Sequence, residues 1–135
     1  MNTTQTYLVF AYLIYITLLG LFMFRQRWVA ISSRRIKGKY FKDYQGEIPM
    51  DLKVMENHFK NQFEVPIVFM ITSLYAIEFN AVTKLFFIFS CLFVFTRVFH
   101  SYFHLVNHIV LYRAASFFTG MFILLGMWVL LLMEL

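Results

Sequence analysis

A chain of 135 residues that is 61% hydrophobic, only 14% charged and positive by five charges has too little polar surface to enclose a water-soluble core. Its mean hydropathy of +0.68, with 18 Phe and 8 Tyr, points instead to an all-α membrane protein whose helices face lipid. The length accommodates one membrane unit and no second domain. One cysteine, Cys91, lies in an apolar run, which excludes an internal disulfide scaffold and reads as a small buried hydrophobe.

In chain order, the N-terminus shows neither a positive n-region nor a small-residue cleavage site, so Tyr7 onward is expected to be a retained span. About 20 apolar residues cross the hydrocarbon as a helix. Four spans follow, at approximately 7–27, 55–79, 85–109 and 112–133. The first and last are cleanly apolar. The second is interrupted by Glu64 and the third by Arg97, His100, His104 and His108, so both are expected to turn a polar face toward protein.

The hydrophilic stretch from Arg25 to Lys60 carries nine Lys/Arg against four Asp/Glu, with Gly38, Gly46 and Pro49 marking a loop and Asp51 expected as a helix N-cap. The positive-inside rule places this loop in the cytoplasm and both termini on the opposite side. Topology alone accounts for the basic excess, which anionic lipid headgroups could also engage.

That orientation gathers the polar residues. Arg25 ends the first span, Asn61 and Glu64 enter the second, Arg97, His100 and His104 lie in the middle and later half of the third, and Arg113 opens the fourth. All fall in one leaflet, while the other is expected to be almost purely apolar. Asn61 and Glu64 are i, i+3, and Arg97, His100 and His104 are i, i+3, i+7, so each set shares a helix face. Arg97 or Arg113 would hold the Glu64 charge, and a Glu64–Arg97 pair is the expected structural link. One carboxylate leaves positive charge to spare, and such a site suits an anion.

The stripe His100, His104, His108 has ligand spacing for a transition metal with Glu64. The neighbouring arginines repel a cation and no second carboxylate is near in sequence, so no metal site is expected. His58 reads as solvated or at headgroup level. Nothing resembles a nucleotide loop, a serine-hydrolase elbow or a nucleic-acid module.

With these residues in place, the chain resembles the membrane-associated proteins in eicosanoid and glutathione metabolism, the MAPEG family. Asn61-x-x-Glu64 followed by Pro66, Arg97-x-x-His100, Arg113 sixteen residues later, and the basic pair Arg25 and Arg27 match its motifs in order and spacing across almost the whole chain. The wording is similar to an uncharacterised bacterial branch, which implies a bacterial inner membrane. The resemblance implies a homotrimer of four-transmembrane-helix protomers with glutathione bound between subunits. Arg25, Lys60, Asn61, Glu64, His100, His104 and Arg113 would contact it, and Arg113 would stabilise the catalytic thiolate. The sequence departs from the family's prostaglandin E synthases at His104 and Phe117, where they have tyrosines, at Ala114, where they have serine, and at Lys60, where an arginine binds carboxylate.

The resulting expectation is a glutathione transferase or peroxidase acting on lipophilic small molecules that arrive through the lipid bilayer. The alternative is a non-catalytic structural or accessory subunit of a larger membrane assembly.

Overall fold

A computed structural model describes residues 1–44, 46–107 and 109–135, the side chain of Asp43 excepted. His108, the third member of the expected histidine stripe, lies outside the described residues. The regular elements of the described chain are all helical: α1 (Asn2–Ser32), α2 (Tyr40–Asp43), α3 (Met50–Asn61), α4 (Val65–Glu78), α5 (Lys84–Tyr102), a π-helical segment (Phe103–Asn107) and α6 (Val110–Glu134).

Among the described residues, three helical stretches are long and apolar enough to cross a membrane: α1, α5 with its π segment, and α6. The segment expected as one span over 55–79 is instead two helices, broken at Gln62–Glu64. Pro66 explains the break. Its ring nitrogen has no hydrogen to give the carbonyl four residues earlier, and the ring crowds that carbonyl, so α3 cannot run on through it. At 1.5 Å per residue the 14 residues of α4 reach about 21 Å, short of the roughly 30 Å hydrocarbon layer. Asp51 is likewise not the N-cap. Pro49 occupies that position and Asp51, in the first turn, pairs with Arg35 at 3.0 Å across an exposed surface.

The inward faces follow helical periodicity. On α1 the buried residues are Gln5, Val9, Tyr12, Ile16, Met23 and Ala30. On α5 and its extension they include Phe86, Ser90, Phe93, Arg97, His100 and His104, spaced alternately four and three apart. The apolar centre is a stack of rings, with Phe69 on Phe93 at 4.5 Å between centroids and the Tyr12 ring edge-on to Phe69. Around it, Phe10, Phe24, Trp28, Phe122 and Leu132 point outward and exposed, as a lipid-facing surface requires. Lipid offers these helices no hydrophobic drive to associate, so close packing and hydrogen bonds between helices must hold the bundle.

Those bonds run from end to end. Asn2 Nδ2 donates to Ile77 O and to Asn80, and Gln5 Nε2 donates to the Ser73 and Ser90 hydroxyls at 2.9 and 3.0 Å. Trp128 Nε1 donates to Thr72 Oγ1 at 2.8 Å, and the Tyr15 and Ser101 hydroxyls bond to each other. The end far from the basic loop is therefore not purely apolar, because Gln5 precedes the apolar run and reaches two serines on helices remote in sequence. Cys91 is half-buried rather than enclosed.

Candidate functional site: a cationic cleft backed by histidines

At the loop end of the bundle, five of the expected residues meet in one cleft of about 400 Å³, within the ordinary range for a small-molecule site. Lys60 and Asn61 come from the last turn of α3, Glu64 from the break, His104 from the π segment, and Arg113 from the first turn of α6. The helix break that Pro66 enforces exposes Glu64 at the mouth. Two basic side chains, Lys60 and Arg113, face one carboxylate, so the cleft carries surplus positive charge.

His100 stands behind the cleft, 3% exposed. Its Nδ1 lies 3.0 Å from the Arg113 carbonyl oxygen, to which it donates, and the Ser116 hydroxyl donates to the same carbonyl at 2.9 Å. Arg113 is thus fixed through its backbone while its side chain lines the cleft.

Arg97 and Glu64 do not pair within the chain. Arg97 is buried at 2% exposure, and its Nη2 donates to the carbonyls of Ser116 and Phe117, both at 3.0 Å. The guanidinium lies 5.2 Å from the Phe93 ring and 5.4 Å from the Phe117 ring. The arginine expected to balance Glu64 instead clamps α5 to α6. Among the described side chains the buried carboxylate is Glu56, 6% exposed, whose oxygen accepts from Arg27 at 2.8 Å. The Tyr40 hydroxyl bonds its other oxygen at 3.4 Å.

Arg25 is exposed on α1 and lies outside the cleft. Two residues along a helix turn about 200°, so Arg27 faces inward to Glu56 while Arg25 faces away from the chain. A second, larger cleft of about 490 Å³ opens in the basic loop among Arg34, Lys37, Lys39 and Glu47 and contains none of the expected site residues.

His58 overturns its sequence reading. It is 2% exposed, stacked against His100 with centroids 5.9 Å apart and tilted against His104 at 5.0 Å. Its Nε2 lies 3.2 Å from Gln62 Nε2, and the Tyr12 hydroxyl donates to Gln62 Oε1 at 3.1 Å. Sequence position placed His58 at a span end, but α3 packs on α1 and on the π segment, and that covers it. The i, i+4 relation of His58 to Gln62 was the one local signal of a shared polar face.

An apolar helical bundle with three stretches among its described residues long and apolar enough to cross a membrane, and an open cleft lined by Lys60, Glu64 and Arg113, defines a helical membrane protein. The family model described as MAPEG family matches residues 7–133, nearly the whole chain, and the chain belongs to that family. No curated protein and no solved structure matches it.

Proposed function

We propose that the protein is a membrane-bound, glutathione-dependent transferase or peroxidase acting on lipophilic electrophiles. The observation that carries this reading is the convergence of Lys60, Asn61, Glu64 and Arg113, from three separate elements, on one cleft of suitable size. Family membership is consistent with a glutathione-related role.

In this reading α3 and α4 together make a fourth crossing, the basic loop is cytoplasmic, and both termini lie on the other side of a bacterial inner membrane. Three chains assemble around a common axis. The outward-facing Arg25 of one chain then completes the cleft of its neighbour, which accounts for its distance from the other site residues. Lys60 and Arg25 hold glutathione carboxylates, Glu64 takes the α-ammonium, and Asn61 bonds the peptide.

Arg113 serves the chemistry. A thiolate is the nucleophile, and an adjacent guanidinium lowers the thiol pKa by stabilising the charged form. His100, gripping the Arg113 carbonyl, keeps the start of α6 in place. In the transferase step the glutathione sulfur forms a bond to an electrophilic carbon, the leaving group departs with the bonding pair, and the thiol proton passes to water. In the peroxidase step the sulfur attacks the terminal oxygen of a lipid hydroperoxide and the O–O bond breaks. The alcohol leaves, and a second glutathione converts the sulfenic acid to disulfide and water.

Calorimetric titration with glutathione, followed by conjugation of an aryl halide in detergent, tests this reading. Wild type should bind glutathione and accelerate conjugation, and Arg113→Ala should lose about 100-fold in rate, the scale for removing one charge-stabilising group. Equal wild-type and background rates with glutathione still bound would favour the accessory role. No binding at all would remove the glutathione reading.

A further inference from the structure

We infer that His58, His100 and His104 form a binding site for a divalent transition metal of the zinc type. One ring nitrogen from each comes within 4.8 Å of the others, and the three residues are 2%, 3% and 5% exposed. They arrive from three elements: α3, α5 and the π segment. The widened π turn carries His104 onto the His58 ring, and such turns recur at functional sites.

The surroundings hold two of the three rings, His58 and His100, as metal ligands are held. A coordinating histidine donates its second N–H to a carbonyl or similar acceptor, which fixes tautomer and ring plane and leaves the other nitrogen for the metal. His100 meets this condition: Nδ1 is committed to the Arg113 carbonyl, and the buried Nε2 has no hydrogen-bond partner. In His58 the committed atom is Nε2, beside the Gln62 amide, and the buried Nδ1 has no partner. Gln62 can present either amide atom. With Oε1 turned to His58 it accepts from Nε2–H, and its NH₂ group meets the Tyr12 hydroxyl.

The donor set selects the metal. Three neutral imidazoles without a thiolate or enclosed carboxylate suit zinc or its first-row neighbours, with a fourth position open. At Zn–N distances of about 2.0–2.1 Å, tetrahedral ligand nitrogens stand about 3.4 Å apart, so the rings must close by rotation about their side-chain bonds. His104 also lines the cleft, which directs the open position toward that space. Arg97, and Lys60 and Arg113 in the cleft that His104 lines, are the adverse charges nearby. The Arg97 guanidinium is drawn to the Ser116 and Phe117 carbonyls, and an anionic fourth ligand from the cleft offsets the remainder. The site does not depend on the glutathione reading, because Lys60, Asn61, Glu64 and Arg113 are not its ligands.

The test uses the full chain, purified in detergent without a histidine tag, stripped with chelator and titrated with Co(II). The expected result is one Co(II) per chain, with the visible d–d absorption of a nitrogen-rich four-coordinate centre, displaced by one equivalent of Zn(II). His58→Gln fills the same buried space and should abolish the absorption. Gln62→Leu should weaken binding about 10- to 100-fold, and Arg35→Ala, in the exposed loop away from the three histidines, should leave it intact. Folded wild type that takes up no metal overturns the proposal, as does undiminished binding by folded His58→Gln. Should His58→Gln fail to fold, His100→Gln and the wild-type stoichiometry decide.

Discussion

Gly120 on α6 lies against Arg97 on α5 so closely that a methyl group at Gly120 would overlap the Arg97 Nη2. The guanidinium occupies the space a side chain would fill, and its bonds to the Ser116 and Phe117 carbonyls depend on that absence. Gly120→Ala should therefore destabilise by about 1–3 kcal/mol, the range for overpacking. At an open helix position the same change stabilises by about 1 kcal/mol, so the sign is diagnostic. Thermal unfolding in detergent reads it, and a rise in Tm would contradict the contact.

Arg97→Lys should destabilise too, by about 1–3 kcal/mol, because an ammonium cannot reproduce the planar guanidinium between two rings and two carbonyls. Unchanged Tm in this variant would mean that the clamp between α5 and α6 contributes little.

Arg25 and Arg27 should separate cleanly. Arg27→Ala leaves Glu56 buried without its ion pair and should lower stability by about 1–3 kcal/mol. Arg25→Ala should leave Tm unchanged and, under the proposed trimer, weaken glutathione binding, since the residue is exposed on the chain and would reach only a neighbour's cleft. The pair of Tm and Kd values checks both. Wild-type affinity in Arg25→Ala would remove the intersubunit contribution.

Tyr40 supplies a pH dependence outside the spans. Desolvation, and then the nearby Glu56 carboxylate, raise its phenol above the ordinary pKa of 10.0. A raised folded-state pKa gives stability that is fully present below the unfolded value and is lost as pH rises through the folded one. Alkaline titration should therefore cost the wild type stability above pH 10 that Tyr40→Phe retains. The difference in phenolate absorbance between the two proteins should appear above pH 10. Appearance below it would reverse the assignment.

Gln5→Leu should stay within about 1 kcal/mol of wild type. Hydrogen bonds between membrane helices average about 0.6 kcal/mol, and the substitution also removes a buried Oε1 that has no partner. A loss of several kcal/mol on chemical unfolding would show Gln5 to be a principal tie between α1, α4 and α5.

The cleft was legible in the sequence because its residues announce themselves by cost. Glu64 and Arg113 interrupt or bound apolar runs where lipid penalises charge, and Lys60 and Asn61 adjoin Glu64 in sequence. Partner choice was not legible. Arg97 was matched to Glu64 by charge, yet two backbone carbonyls of α6 lie within its reach, and a sequence does not display backbone acceptors as candidates. Glu56 was counted among the loop charges because its i, i+3 and i+4 neighbours do not show that Arg27 folds over it.

Composition and run length determined by themselves that this is a helical membrane protein, since burial in lipid depends on the summed apolar character of each segment. Spacing determined which side of each helix turns inward and marked the family motifs. Only the tertiary structure decided that His58 joins His100 and His104, that Arg97 binds carbonyls, and that Arg25 and Arg27 part company. Each of these depends on how helices distant in sequence pack together. Side-chain periodicity sets a helix's face but leaves unspecified the neighbour that face will meet.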